Sequence, residues 1–201
     1  MRSEITAARN SIGYFKRSST LETSRLILRE WRDTDVAPFA KLNANQRVMQ
    51  HLPGTLSYEE SAQMVKRIKT HFEKHGFGLW AVEIKDQQQF AGFIGLSVPK
   101  FTAHFTPCVE IGWRLDVPFW NQGYASEGAR AALEFGFTQC HLNEVFSFTV
   151  PANGASRRVM EKIGMSYIEN FDHPTLAEDD PLRNHVLYRI TRMERDALVP
   201  G

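Results

Sequence analysis

Residues 113–137 read WRLDVPFWNQGYASEGARAALEFGF. The stretch opens as a strand, passes through a loop holding Asn121-Gln122-Gly123, and runs on as a helix of small residues. Ala129, Ala132 and Gly136 follow Ala125 at spacings of 4, 7 and 11, which is one face of a helix. So bare a face lets the helix press closely against a neighbouring layer. Its N-terminus offers free backbone N–H groups and the positive end of the helix dipole, and together these suit an anion. Val109–Leu115 precedes this helix and Val145–Val150 follows it, both apolar and strand-like. A strand–helix–strand unit predicts a parallel pair with a right-handed crossover. A ligand then belongs at the carboxyl end of that pair.

Working outward, Leu26-Ile27-Leu28 is a short apolar strand, and Asp33, Thr34 and Asp35 are candidate caps for a helix carrying Val36, Phe39 and Ala40. Ser57-Tyr58-Glu59-Glu60 has the form of a capping box, and the helix it opens bears Met64, Val65, Ile68 and Phe72. Leu79–Lys85 and Phe90–Val98 read as a hairpin about Asp86-Gln87-Gln88-Gln89. Asn153 caps a helix with Ala155, Val159 and Ile163 on one face, ending at Gly164. Tyr167-Ile168 and His185–Thr191 are closing strands around a polar loop. The expected fold class is α/β, with a mixed sheet that is antiparallel through its first half. Residues 1–20 read as an appendage with a weak stripe of Ile5, Ile12 and Phe15, residues 21–191 as one domain, and residues 192–201 as a C-terminal tail.

The 201 residues are 42% hydrophobic and 23% charged, ordinary values for a globular chain with a real core. A net charge of +1 supplies no field that calls for nucleic acid or a membrane surface. No apolar run approaches the roughly 20 residues of a membrane span, and the first residues lack the apolar core of a secretory signal. Cys108 and Cys140 form neither a metal spacing nor a disulfide framework. The expected location is cytoplasmic. His71 and His75 stand at a metal-compatible spacing, but no third ligand accompanies them, so no metal is expected. Cys140-His141 are sequence neighbours, which does not make a catalytic pair.

Four landmarks occur in order. They are Ser24-Arg25-Leu26-Ile27-Leu28-Arg29, Glu110-Ile111-Gly112-Trp113, Trp120-Asn121-Gln122-Gly123-Tyr124-Ala125, and Asn153-Gly154-Ala155-Ser156 with Glu161-Lys162-Ile163-Gly164-Met165. In these the chain resembles the GCN5-related N-acetyltransferase (GNAT) superfamily, most of all its RimJ/RimL-like branch of ribosomal-protein N-terminal acetyltransferases. The likeness runs from Leu21 to about Thr191. It implies a mostly antiparallel sheet with one parallel pair splayed to hold a cofactor, and helices on both faces. The anion becomes the pyrophosphate of acetyl-coenzyme A (acetyl-CoA), received by backbone N–H groups of Gln122, Gly123, Tyr124, Ala125 and Ser126. The wider superfamily has Gln or Arg where this chain has Trp120, a departure usual in the branch resembled. The likeness also implies that the pantetheine arm pairs with backbone groups near Trp113 and Leu115, as an added strand would. Asn153 then caps its helix and also bonds the cofactor, while Arg157 and Arg158 are candidates for the phosphates.

Acetyl transfer to an amine requires a deprotonated amine, a stabilised carbonyl oxygen and a protonated leaving thiolate. Glu110 is the one acid inside an apolar strand, where its pKa should rise toward neutrality. It is a base candidate, directly or through water; the other reading is a carboxylate facing solvent or paired with an arginine. Ser156 is the proton-donor candidate for the sulfur, in the absence of the tyrosine many superfamily members use; it could equally satisfy the helix entrance. The acceptor site is expected from the Ala44–Ser57 loop, with His51 and Pro53, and from the Pro99–Pro107 loop, with His104. These loops hold no acidic cluster, so a polyamine acceptor is disfavoured. The expected acceptor is a primary amine, either a protein N-terminus or a small molecule. The rival from another class is a non-catalytic acyl-CoA binding or sensing domain. A homodimer is compatible with the family but not required by this sequence.

Overall fold

The computed structural model describes residues 20–198. The stripe of Ile5, Ile12 and Phe15 lies outside the described residues. Strands β1 (Leu21–Glu22) and β2 (Leu26–Arg29) lead through a 3-10 turn, Asp33–Asp35, into helices α1 (Val36–Asn43), α2 (Gln46–Met49) and α3 (Tyr58–His75). Strands β3 (Leu79–Ile84), β4 (Gln89–Ser97) and β5 (Glu110–Leu115) follow, then helix α4 (Tyr124–Thr138), strand β6 (Glu144–Thr149) and helix α5 (Gly154–Lys162). Strands β7 (Ser166–Asp172) and β8 (Asn184–Thr191) and helix α6 (Arg192–Leu198) complete the described chain. All strands join one sheet in the order β1-β2-β3-β4-β5-β6-β8-β7. Every pair is antiparallel except β5–β6.

The sheet carries a core on each face, as strand alternation requires. On one face Leu26, Leu28, Trp80, Val82, Ile94, Leu96 and Ile111 meet Ala129, Ala132 and Leu133 of α4 and Met160 of α5. On the other, Ala81 and Phe93 meet Phe39 and Leu42 of α1 and Val65 and Ile68 of α3. The small-residue face of α4 is confirmed: Ala129 and Ala132 are wholly buried. Gly128 belongs to it as well, since a Cβ there would stand 2.5 Å from Ile94 Cδ1. The helix therefore lies too close to the sheet for a larger residue. The capping box of α3 forms, with Ser57 Oγ accepting from Glu60 N–H at 3.1 Å and the Glu60 carboxylate accepting from Ser57 N–H at 2.7 Å.

Three segments differ from the sequence expectation. Asp35 makes no side-chain cap for α1. Its carboxylate takes the Arg29 guanidinium through two bonds, of 2.7 and 2.9 Å. A second carboxylate, Glu83, reaches the same arginine at 2.8 Å. The loop between α1 and α3 contains a turn of helix, α2, because Asn45 Oδ1 accepts from Arg47 N–H and starts it. Residues 192–198, expected as tail, form α6, tied down by Arg192 Nη2 on Leu142 O at 2.8 Å and by Arg195 on Glu134 at 3.1 Å. Among the described residues no helix is long and apolar enough to cross a membrane.

Candidate active site

The parallel pair is barely a pair. β5 and β6 share a single register position, Glu110 with Phe146. Phe146 N–H donates to Val109 O at 2.9 Å, and one step further the buried Ser147 Oγ donates to Ile111 O at 2.9 Å. Beyond that the strands part. Because Ile111 turns its carbonyl toward β6, strand alternation turns the Trp113 main chain the same way, into the gap. Leu115 carries the same orientation, but its carbonyl is already taken by the Trp120 indole N–H at 2.7 Å. Both residues line the cleft, with the Trp113 main chain facing the gap and one lone pair of the Leu115 carbonyl left beside the indole bond.

A cleft of about 510 Å³ occupies this fork. Gly123, Tyr124, Ala125 and Ser126 line one end of it, together with Asn121. Gly123 has φ +83 and Asn121 φ +58, both left-handed, and these turn the chain sharply into α4. The first intrahelical bond runs from Glu127 N–H to Gly123 O at 3.0 Å, so the N–H groups before Glu127 precede the helical ladder. Arg25 pins this loop. Its Nη1 donates to Gln122 O at 2.9 Å and its guanidinium lies 4.6 Å over the Tyr124 ring. Glu127 in turn accepts from Arg25 N–H at 2.9 Å and from Arg25 Nε at 2.6 Å. Beside the loop a second hollow continues past Gly123, Ser126 and Glu127 to Arg130 and Lys162.

Glu110 stands where the strands separate and lines the cleft. Burial pushes its carboxyl up to about 7, against the opposing pull of a long hydrogen bond, 3.4 Å, from Ser97 Oγ. No arginine pairs with it among the described residues. Ser156 also lines the cleft, opposite on α5. Its N–H donates to Asn153 Oδ1 at 3.2 Å, and among the described residues its hydroxyl has no partner. Asn153 also serves the structure: its amide nitrogen donates to Thr149 Oγ1 at 2.9 Å, locking α5 to the end of β6. It lines the cleft, and one amide N–H and one Oδ1 lone pair remain beside these two bonds. Arg158 and Lys162 lie exposed at the rim of the cleft, while Arg157 is turned to Tyr188 Oη and Pro151 O.

An exposed main-chain edge in a splayed pair, a carboxyl raised toward neutrality and a helix entrance whose first N–H groups precede the helical ladder line one cleft. A model of the Acetyltransferase (GNAT) domain matches residues 25–166. The chain belongs to the GNAT acetyltransferase family. It is 33% identical, over 147 residues, to an uncharacterized N-acetyltransferase of Bacillus subtilis, YnaD, across 72% of this chain and 81% of that one. It is 35% identical to FsC-acetyl coenzyme A-N(2)-transacetylase of Aspergillus fumigatus over 127 residues, 59% of this chain and 52% of that protein. A GNAT-family acetyltransferase structure from Bacillus anthracis superposes with a TM-score of 0.73 at 26% identity, covering 86% of this chain and 98% of the other. The chain is accordingly an N-acetyltransferase.

The far end of the GNAT cleft is lined by Arg47, Gln50, His51 and Leu52 from and beside α2 and by Phe93 and Arg114. His51, expected at the acceptor site, lines the cleft. Exposed Pro53 does not line the cleft, and neither does any residue of the Pro99–Pro107 loop. His104 is drawn away by Glu169 on β7, whose Oε1 lies 2.5 Å from its Nε2. His71 and His75 stack at 4.4 Å, but His71 spends both ring nitrogens on main chain, at Phe77 O and Val98 N–H. Among the described residues no group of three His, Cys, Asp or Glu is placed to hold a metal. Sequence reasoning missed Arg114 and Arg25. Arg25 was visible as part of a landmark, but its role as the loop's anchor depends on a contact 97 positions away.

Proposed function

We propose that this GNAT enzyme moves an acetyl group from acetyl-CoA to a primary amine, by direct attack while both are bound. What carries the reading is the placement of Glu110 at the fork, at the inner end of the open Trp113 edge. The residues fit the cosubstrate: first-turn N–H groups at Gly123–Ser126 for the pyrophosphate, the Trp113 main chain for the amide-bearing arm, and Arg25, Arg130, Arg158 and Lys162 for remaining phosphate charge. Acetyl-CoA supplies the activated acetyl thioester. The Glu110 carboxylate, with its pKa raised toward neutrality, accepts the proton of the incoming ammonium, directly or through water. Ser156 Oγ is free to give a proton to the departing sulfur. A main-chain N–H in the Ile111–Trp113 region is the donor nearest the carbonyl oxygen.

The RimJ/RimL likeness of the motifs keeps a protein N-terminus among the acceptors. An α-amine, which ordinarily titrates at about 7.7–8.0, asks less of a base than a lysine amine at about 10.4. The test is thiol release from acetyl-CoA over a panel of small amines and N-terminal peptides. Acceptor-dependent release supports the reading. Tight acetyl-CoA binding with no release across a wide panel contradicts it and favours a non-catalytic acyl-CoA sensor.

A further inference from the structure

The acceptor end of the cleft holds a half-buried cation, Arg114, without a counter-ion among the described residues. Arg114 is on the face of β5 shared with Glu110 and Gly112, while Ile111, Trp113 and Leu115 face the α4 side. Its Nη1 donates to Asn43 Oδ1 at 2.6 Å, and its guanidinium lies 5.3 Å over the Phe93 ring. Both partners are neutral, and no carboxylate approaches it among the described residues. Burial lowers its pKa to about 10, still far above neutrality, so it remains a cation. The arrangement is built, not incidental. Asn43 is wholly buried, its Nδ2 donates to Ser61 Oγ at 3.0 Å, and its carbonyl accepts from Leu56 N–H at 3.1 Å.

The same molecule shows how it treats a buried arginine of purely structural use. Arg29 is held by Asp35 and Glu83 together. An uncompensated guanidinium facing a cleft is costly, and its five N–H donors are mostly unspent. The phosphate loop cannot serve it, because α4 packs on the opposite face of the sheet. Arg47 and His51 line the same end of the cleft, and Glu110 is the one acid among the cleft's lining residues. Between Glu110 and Arg114, Gly112 leaves space: only Glu110 Oε1, at 3.8 Å, lies within 4 Å of where a Cβ would stand.

We propose that the acceptor is a small amine that also carries a carboxylate, its nitrogen at Glu110 and its carboxylate on the Arg114 guanidinium. Four residue steps along the strand put the two Cα atoms roughly 13 Å apart, a span a small molecule bridges once the two side chains reach in. This inference rests on the acetyltransferase reading above and names the substrate class of that same site.

The experiment compares matched pairs of acceptors with acetyl-CoA: phenylalanine against phenethylamine, and 4-aminobutyrate against butylamine. The carboxylated member of at least one pair should show a kcat/KM larger by about tenfold or more, the least expected of a charge-assisted bond. Arg114→Gln should bring the ratio within about threefold by raising KM for the carboxylated member, and Arg114→Lys, which keeps the charge, should restore part of it. Thermal unfolding checks each variant, and the wild-type ratio stands as a test even where a variant fails to fold. Plain amines used as well as their carboxylated partners, or an unchanged ratio in a folded Arg114→Gln, overturn the proposal while leaving the acetyltransferase reading intact. Peptides acetylated regardless of their charge, with neither member of a pair used, overturn it too. No thiol release with any acceptor sinks the parent reading and this one together.

Discussion

Glu110 combines two consequences of one environment. Burial disfavours its charge, which makes it a useful base near pH 7 and also a burden on the fold. In the parent, turnover should rise with pH through about 7 as the carboxyl ionises. Glu110→Gln should lower turnover by about 10²–10⁴-fold with little change in acetyl-CoA affinity, and the loss should shrink at high pH where the free amine is abundant. A pH–rate profile of both proteins checks this; parallel profiles from pH 6 to 9 would make the residue structural. The stability sign is opposite. A carboxyl whose folded pKa is raised binds more protons folded than unfolded between about 4.5 and about 7, so its contribution falls as pH rises across that window. Glu110→Gln should therefore be the more stable protein at pH 8, by about 1–3 kcal/mol in urea unfolding. Ser156→Ala should reduce turnover and spare cosubstrate affinity, the pattern of an interaction made in the transition state; a loss confined to affinity would reassign the hydroxyl to binding. Glu110 was legible as a lone acid in an apolar strand. Arg114, four residues on, was not, since its solitude depends on Asn43, 71 positions away, and on which carboxylates stay distant.

At the scale of elements, the loop before α4 was the most legible part because its chemistry is local. Gly123 takes a positive φ that a side chain resists, and the small residues behind it mark the packing face. Gly123→Val combines backbone strain with a branched side chain at the cleft. Coenzyme A binding should weaken by at least tenfold, about 1.4 kcal/mol, in a protein that still unfolds cooperatively; unchanged calorimetric affinity would take the loop out of the site. Helix α3 offers a different test. His71 donates from Nδ1 to Phe77 O and accepts Val98 N–H at Nε2, so only the neutral ring satisfies both. Burial, then the nearby Lys74 and Lys100, lower its pKa. Between that lowered value and the ordinary 6.5, the unfolded chain binds the extra proton, so stability is lost as pH falls below about 6.5. His75, His173 and His185 shift the same way. The urea midpoint should drop from pH 7.5 to 5.5, and His71→Asn should be less stable at pH 7.5 but show a shallower drop. An equal drop in the variant would remove His71 from the pH dependence. Helix α6 escaped the sequence reading because no apolar stripe announces it; Met193 and Leu198 remain exposed, and its hold is a pair of arginine contacts to distant elements.

For the whole molecule, sheet order and function are one argument. The strand alternations and the crossover through α4 place β5 beside β6, and the single shared position at Glu110 leaves a fork whose walls come from both faces of the sheet. The cosubstrate is proposed to enter from the α4 face and the acceptor from the α1–α3 face, meeting where the strands divide. The parallel pair could be read from the chain, and its splay came with the family resemblance. The partners of His104 and Arg114 could not be read, because they are set by which loops the finished sheet brings together. Amide hydrogen exchange with and without acetyl-CoA tests the central claim most directly. The account predicts slowed exchange at Trp113 and at Gly123 to Ser126, with the amides of β7, β8 and α3 unchanged. Binding without protection at Trp113, or with protection concentrated elsewhere, would contradict it.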